Sequence, residues 1–298
     1  MFTATNFTYD GKYSGDYGLK IMTFNANPQE ETAYVVPTIS TGKPTRSKRF
    51  FYEGMNYDNP PAYEFSVVSE RPITEESQQD ILNWLDSRKG FRKLNIYQTG
   101  FTDFTYNCIF TVTSTIYQAG FCVGYNLSAQ FDAPFQYGKP TAKTITGNTD
   151  DTNKFSIINK SDVIDDYVYP TVTINKAGGD RLTIINLTDN SLTKEDRKFQ
   201  LVVPKDVESD GTDTLAIFYY PIVIDNELKT FSQNIGVNSN LLGSFNKQWL
   251  RLLRGKNNLQ ILWETAVEGS DGSITYTPAT DNNGSVTISC PYYKRIKF

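Results

Sequence analysis

Histidine is absent from the 298 residues, so no Ser-His-Asp or Cys-His nucleophile system, no histidine zinc site and no imidazole base is available. Acid–base chemistry is left to carboxylates. A glycoside hydrolase would need two of the 33 acidic residues facing one cleft, and in so many the sequence singles out no pair. Cys108, Cys122 and Cys290 are odd in number and far apart, with no Cys-x-x-Cys spacing. They read as reduced strand residues rather than a disulfide or a metal set. Asp206, Glu208, Asp210 and Gly211 match the first, third, fifth and sixth positions of a calcium loop, yet Ile217 stands where the loop needs a bidentate glutamate. A polar turn is the plainer reading. Trp263 and Glu264 form the remaining chemical pair, either an aromatic-carboxylate platform for a saccharide or a packed strand residue beside its neighbour. No catalytic residue, metal or cofactor is assigned.

The elements that must position these residues are strands. The length allows one or two domains with sizeable cores, and 19 Tyr with 19 Phe favour sheet and exclude disorder. The formal charge of −4 is evenly spread, so no basic face for phosphate-mediated nucleic-acid binding is implied. Met1 to Gly11 lacks a basic n-region and an apolar core. No window approaches the roughly 18 apolar residues of a membrane span, and folding in a cytoplasm is expected.

Alternation marks strands at Tyr34 to Ile39, Tyr63 to Val68, Leu94 to Tyr97, Cys108 to Ile116 and Cys122 to Phe131. Asp10-Gly11 is a preferred two-residue hairpin turn, and Gly18 supplies a bend or bulge before Leu19 and Ile21 share a face. One helix interrupts the strands. Thr74 is its N-cap, Glu75 and Glu76 suit its positive end, Ile81, Leu82 and Leu85 form its apolar stripe with Trp84 beside them, and Gly90 lies past its end. A barrel or curled sheet with one packed helix results.

Tyr125, Leu127, Ala129 and Phe131 alternate with polar residues up to Ala133-Pro134, where proline ends the ladder. Residues 139–153 then read as a linker between domains at 1–138 and 154–298. Between Ser40 and Asn59 the pattern lapses into a loop with Arg46, Arg49, Phe50, Phe51 and Tyr52, either a surface for a neighbouring subunit or a solvated hairpin.

The second domain reads as many short strands, at Phe155 to Ile158, Thr171 to Ile174, Leu182 to Leu187, Phe199 to Val203, Leu215 to Ile224, Leu250 to Leu252, Leu259 to Trp263, Ile274 to Thr277 and Val286 to Ser289. Turns at Gly178 to Asp180, Gly255 to Asn258 and Asp281 to Gly284 punctuate them, which argues for a sandwich or jelly roll. The segment exceeds the roughly 100 residues a plain sandwich needs. The surplus is placed around 190–221 as a projecting arm with candidate contacts Phe199, Phe218, Tyr219 and Tyr220; the linker is the competing location.

The strand ending in Pro134-Phe135-Gln136-Tyr137, with Phe7 to Gly11 and Ser14 to Ile21 at the chain start, resembles the distal tail proteins of siphophages, in particular the baseplate hubs of lactococcal-type phages. Tyr169 to Ile174, Leu182 to Leu187 and Trp249 to Ile261 resemble their galectin-like C-terminal domain. The resemblance implies a non-enzymatic hub at the distal end of the tail. It implies a homohexameric ring of first domains, with the major tail protein, a tail-associated baseplate hub protein and receptor-binding proteins as partners, and DNA passing through without specific binding. The alternatives are a carbohydrate-binding adhesin and a tail-associated glycoside hydrolase.

Overall fold

A computed structural model of the chain describes residues 4–22, 61–86, 90–150, 154–162, 167–193, 195–206, 219–233, 241–280 and 283–296, with the backbone alone at 38–42 and 51–56. The chain forms two compact units. Unit 1 holds Met1–Lys139 and Tyr293–Phe298, and unit 2 is Pro140–Tyr292. No helix among the described residues is long and apolar enough to cross a membrane.

Unit 1 opens with β1 (Phe7–Tyr9) and β2 (Lys12–Tyr13), joined through Asp10 and Gly11 at φ 49° and 78°. Both central residues take positive φ, as the two-residue hairpin demands. A 3-10 turn, Ser14–Tyr17, closes on Gly18 at φ 68° and feeds β3 (Leu19–Met22), whose Leu19 and Ile21 are fully buried. After β4 (Thr38–Gly42) and β5 (Phe51–Asn56) come β6 (Ala62–Ser69), helix α1 (Glu75–Leu85), β7 (Arg92–Ile96), β8 (Phe104–Gln118) and β9 (Phe121–Phe131). The antiparallel order is β1, β7, β8, β9, β6, β3. Thr5, just before β1, exchanges backbone hydrogen bonds of 3.1 and 2.8 Å with Ile21 of β3. That bridge closes the sheet on itself, so the expected barrel is present and its open edges are removed.

The barrel interior follows the period of two. Tyr125, Leu127, Ala129 and Phe131 are buried on β9 while Gln130 is exposed, and Tyr106, Cys108 and Phe110 are buried on β8. The Tyr9 ring stacks on Phe110 at 4.3 Å, and burial raises its hydroxyl pKa to about 12. On α1, Thr74 Oγ1 accepts from the Ser77 amide, as the N-cap requires. Ile81, Trp84 and Leu85 are the buried residues of the helix, whereas Leu82 is only partly covered.

The chain passes to unit 2 along β10 (Phe135–Thr146), whose first residues pair with β8 at Tyr137 opposite Thr105. Pro134 ends β9 as expected, but the stretch read as linker is strand up to Thr146. Its side chains beyond Gly138 are mostly exposed, so no apolar period marks it. The Asn153 end of that linker lies outside the described residues.

Unit 2 contains β11 (Phe155–Asn159), β12 (Thr171–Lys176), β13 (Arg181–Asn186), β14 (Lys198–Val202), β15 (Ile222–Asp225), β16 (Thr230–Ser232), β17 (Gly255–Glu268), β18 (Ile274–Pro278) and β19 (Ser285–Arg295). One antiparallel sheet runs β11, β17, β13, β14 with β18 also on β17; β16, β15, β12 and β19 run in order in the other. Ile157, Leu182, Leu201, Ile261, Val172 and Ile288 are among the buried residues on alternate positions of both sheets, the pattern of a sandwich core. Phe245 joins the layers, with ring centroids 5.0 Å from Phe199 of β14 and 5.4 Å from Phe231 of β16.

Three readings of unit 2 change. The strand read at Leu215 to Ile224 begins only at Ile222, with Tyr219 to Pro221 outside it and 215–218 outside the described residues. Leu250 to Leu252 is not a strand: only Leu252 pairs, through one bridge to Val168. Gly255 to Asn258, read as a turn, begins β17. Asn257 there is buried and holds the Leu253 amide and carbonyl, so turn-like chemistry sits at a strand start. The short β16 carried no apolar run to announce it.

Candidate functional site

The residues singled out for contact fall in two places. Phe51 and Tyr52 lie on β5, opposite Gly42 and Thr41 of β4, with a register shift between Ser40 and Thr41. Arg46, Arg49 and Phe50 lie outside the described residues. Among the described residues β4 and β5 pair only with each other. A lone two-stranded ribbon is marginally stable in water.

The arm region is only partly described, since Phe218 and the Glu208 to Ile217 part of the calcium-like loop fall outside it. Asp206 is an intramolecular acceptor at 2.7 Å from the Tyr219 amide. Tyr220 donates its hydroxyl to the Pro204 carbonyl at 2.6 Å, and burial raises its pKa. Phe199, expected on the arm, is instead core: it is 1% exposed against Phe245. Its strand alternation was legible, but its burial depended on Phe245, far away in sequence.

A projecting ribbon lies elsewhere; its strand at Ile274 to Thr277 was read from the sequence, but the extension of β17 that pairs with it was not. β13 accompanies β17 only as far as Arg181 opposite Glu264. From Thr265 to Glu268 the partner of β17 is β18 alone, and nearly every residue from Thr265 to Pro278 is exposed. The root of this ribbon is clamped. Arg181 binds both Glu264 carboxylate oxygens at 2.7 and 3.0 Å, and its guanidinium lies 3.7 Å over the Tyr276 ring. Thr183 also donates to Glu264.

Trp263, the proposed sugar platform, is fully buried, and the backbones of Gly178 and Gly284 lie against its indole. It is a packed strand residue. Glu264 is already committed to Arg181 and Thr183, so the pair offers no aromatic face and carboxylate to a saccharide.

Two buried carboxylates tie unit 2 to pH. Burial pushes Glu264 upward, but hydrogen bonds from Arg181 and Thr183 outweigh it and leave the pKa below its ordinary value of 4.5. Burial likewise pushes Asp189 upward, but bonds from Ser191 and Arg251 outweigh it and leave its pKa below 3.8. A depressed carboxylate adds stability that is fully present above its unfolded pKa and is lost as pH falls through its folded pKa. We therefore expect the thermal midpoint of unit 2 to fall as pH drops below these ordinary values. Glu264→Gln should lie lower at neutral pH and show a shallower acid slope; equal slopes would remove Glu264 from the account.

A closed barrel with one capped helix is followed along the chain by a two-sheet sandwich. The chain belongs to the phage tail proteins: residues 2–133 match the Phage tail protein N-terminal domain and residues 135–208 the Phage tail C-terminal domain. Its fold is that of a distal tail protein. It is similar to the crystal structure of SPP1 Dit, described as a paradigm of hub adsorption apparatus in Gram-positive-infecting phages, at a TM-score of 0.55 and 15% identity over 98% of this chain and 99% of that one. No curated protein matches the sequence.

Proposed function

We propose that this protein is the hub of a phage tail tip, a structural protein without catalytic activity. Unit 1 builds a homohexameric ring between the major tail protein and a tail-associated baseplate hub protein, and unit 2 carries receptor-binding proteins. Genomic DNA crosses the ring without specific binding, in keeping with the mild negative charge. The observation that carries the reading is the β4–β5 ribbon. The barrel satisfies its own edges through Thr5 and Ile21, while this ribbon pairs only with itself among the described residues. A neighbouring subunit packs against this ribbon, and ring closure repeats that contact on every copy. Phe51 and Tyr52 of β5, and Arg46, Arg49 and Phe50, which precede them in sequence, are assigned to the subunit boundary. Tyr219 and Tyr220 remain assigned to receptor-binding-protein contact.

The test is mass in solution with negative-stain imaging, in the presence of neighbouring tail proteins if needed. We expect rings of about six chains. Arg46→Glu with Arg49→Glu should shift the population to single chains of unchanged fold. A wild-type chain that stays solitary under every assembly condition overturns the hub reading.

A further inference from the structure

We propose that β18 is the docking edge for an extended, cationic segment of another tail component, which adds to unit 2 as a further strand. The inference rests on the tail location and goes beyond the ring. It starts from hydrogen-bond phase. At one end of the ribbon the Ala279 amide donates to the Trp263 carbonyl at 2.8 Å, and at the other the Gly269 amide donates to Ser273 at 2.7 Å. The register is unbroken between them. Antiparallel pairs alternate between bonded and non-bonded, so Thr265 with Thr277 and Val267 with Thr275 carry the ladder. Ile274 and Tyr276 are the non-bonded positions, and their N–H and C=O groups point away from β17. Pro278, the next outward position, has no N–H and sets the limit of the edge.

This edge lacks the protection its neighbours have. Among the other edge strands of unit 2, β11 is bracketed by Lys154 and Lys160, β14 begins with Lys198, and β16 follows Lys229. Lysine at an edge discourages strand addition. β18 reads Ile-Thr-Tyr-Thr-Pro, with Ile274 62% exposed. On the opposite edge of the ribbon, Asp180 Oδ2 accepts the Ala266 amide at 2.9 Å, so that side is partly closed by the chain itself.

Charge selects the occupant. From Asn257 to Tyr293 there is no lysine or arginine. Arg181 neutralises Glu264 at the root, whereas Glu268 and Asp271 are exposed toward the tip. Glu268, level with Ile274, and Asp271 in the turn beyond it leave this end of the edge acidic, so a Lys- or Arg-bearing strand is favoured.

The experiment compares amide hydrogen exchange at single-residue resolution in the isolated protein and in purified tails, with mass spectrometry first establishing that the protein is in the tails. Its absence from tails would overturn the hub reading, and this proposal with it. With the protein present, exchange at Ile274 and Tyr276 should slow by roughly tenfold or more in tails. Unchanged exchange there overturns the proposal and leaves the hub intact. Slowing that already appears in the isolated protein and grows with its concentration identifies a second copy and also overturns it. Ile274→Pro removes an outward N–H while sparing the β17 ladder, and Glu268→Lys with Asp271→Lys reverses the charge. Each variant should remove the slowing at Tyr276 in assembled tails; protection that survives both overturns the assignment.

Discussion

Replacing Trp84 with alanine is expected to cost unit 1 about 3–5 kcal/mol, the usual loss for a large buried aromatic. Trp84 is 4% exposed and lies nearly parallel to Phe7 at 5.7 Å, with Tyr17 stacked at 4.9 Å. It is also a polar tie. Its indole N–H donates to the Tyr9 carbonyl at 2.8 Å, next to the β1–β2 turn. Removal opens a cavity where α1 meets β1 and leaves that carbonyl without its partner, so the cost exceeds the transfer term alone. Trp84→Phe keeps most of the ring but not the donor, and should lose about 1–3 kcal/mol. The measurement is denaturant unfolding followed by hydrogen exchange in the β1 and β7 amides, because a two-unit chain need not unfold in one step. An alanine variant that loses less than ~1 kcal/mol would show that the helix is not held through this residue.

The second large effect is expected at Gly284. A Cβ built there would lie 2.5 Å from the Gly178 Cα and 2.5 Å from Trp263 Cε2, and one built on Gly178 would meet Gly284 at 2.7 Å. Neither obstacle is a flexible tip. Backbone stands on one side and a fully buried indole on the other. Gly284→Ala should therefore reach or pass ~3 kcal/mol, the upper end of ordinary overpacking. Trp263→Leu will itself destabilise unit 2, but combined with Gly284→Ala it should cost less than the two single losses added, because the smaller side chain leaves room for the methyl. Strict additivity in that cycle would mean that the two residues do not press on each other.

Much of the fold was legible because its signals are local. Asp10-Gly11, Thr74 and the β9 alternation each depend on residues within a few positions, and all three appear as read. The misses share a different cause. β10 continues through residues whose side chains are largely exposed, and β17 runs on beyond Trp263 through the exposed positions Thr265 to Glu268, so neither extension carries the one-sided apolar pattern on which strand reading rests. Leu250 and Leu252 do show apolar alternation and are buried, yet the single bridge to Val168 does not make them a strand. Trp263 was readable as core or as platform because the decision rests on Gly178 and Gly284, distant in sequence and pressed against its ring. For interaction surfaces the difficulty is greater, since an unused N–H at Ile274 is a property of register rather than of residue type.

Unit 1 takes back Tyr293–Phe298 after the whole of unit 2 has intervened. Tyr293 lies against Phe135 at 6.3 Å and Tyr137 at 5.6 Å, Ile296 is fully buried, and its amide bonds the Pro134 carbonyl at 3.0 Å. On a ribosome moving at ~5–20 residues per second, this segment arrives roughly 8–30 s after the rest of the unit it joins. Until then the Pro134 carbonyl and the Phe135 and Tyr137 rings wait for their partners, so the first unit to be made is completed only after the second.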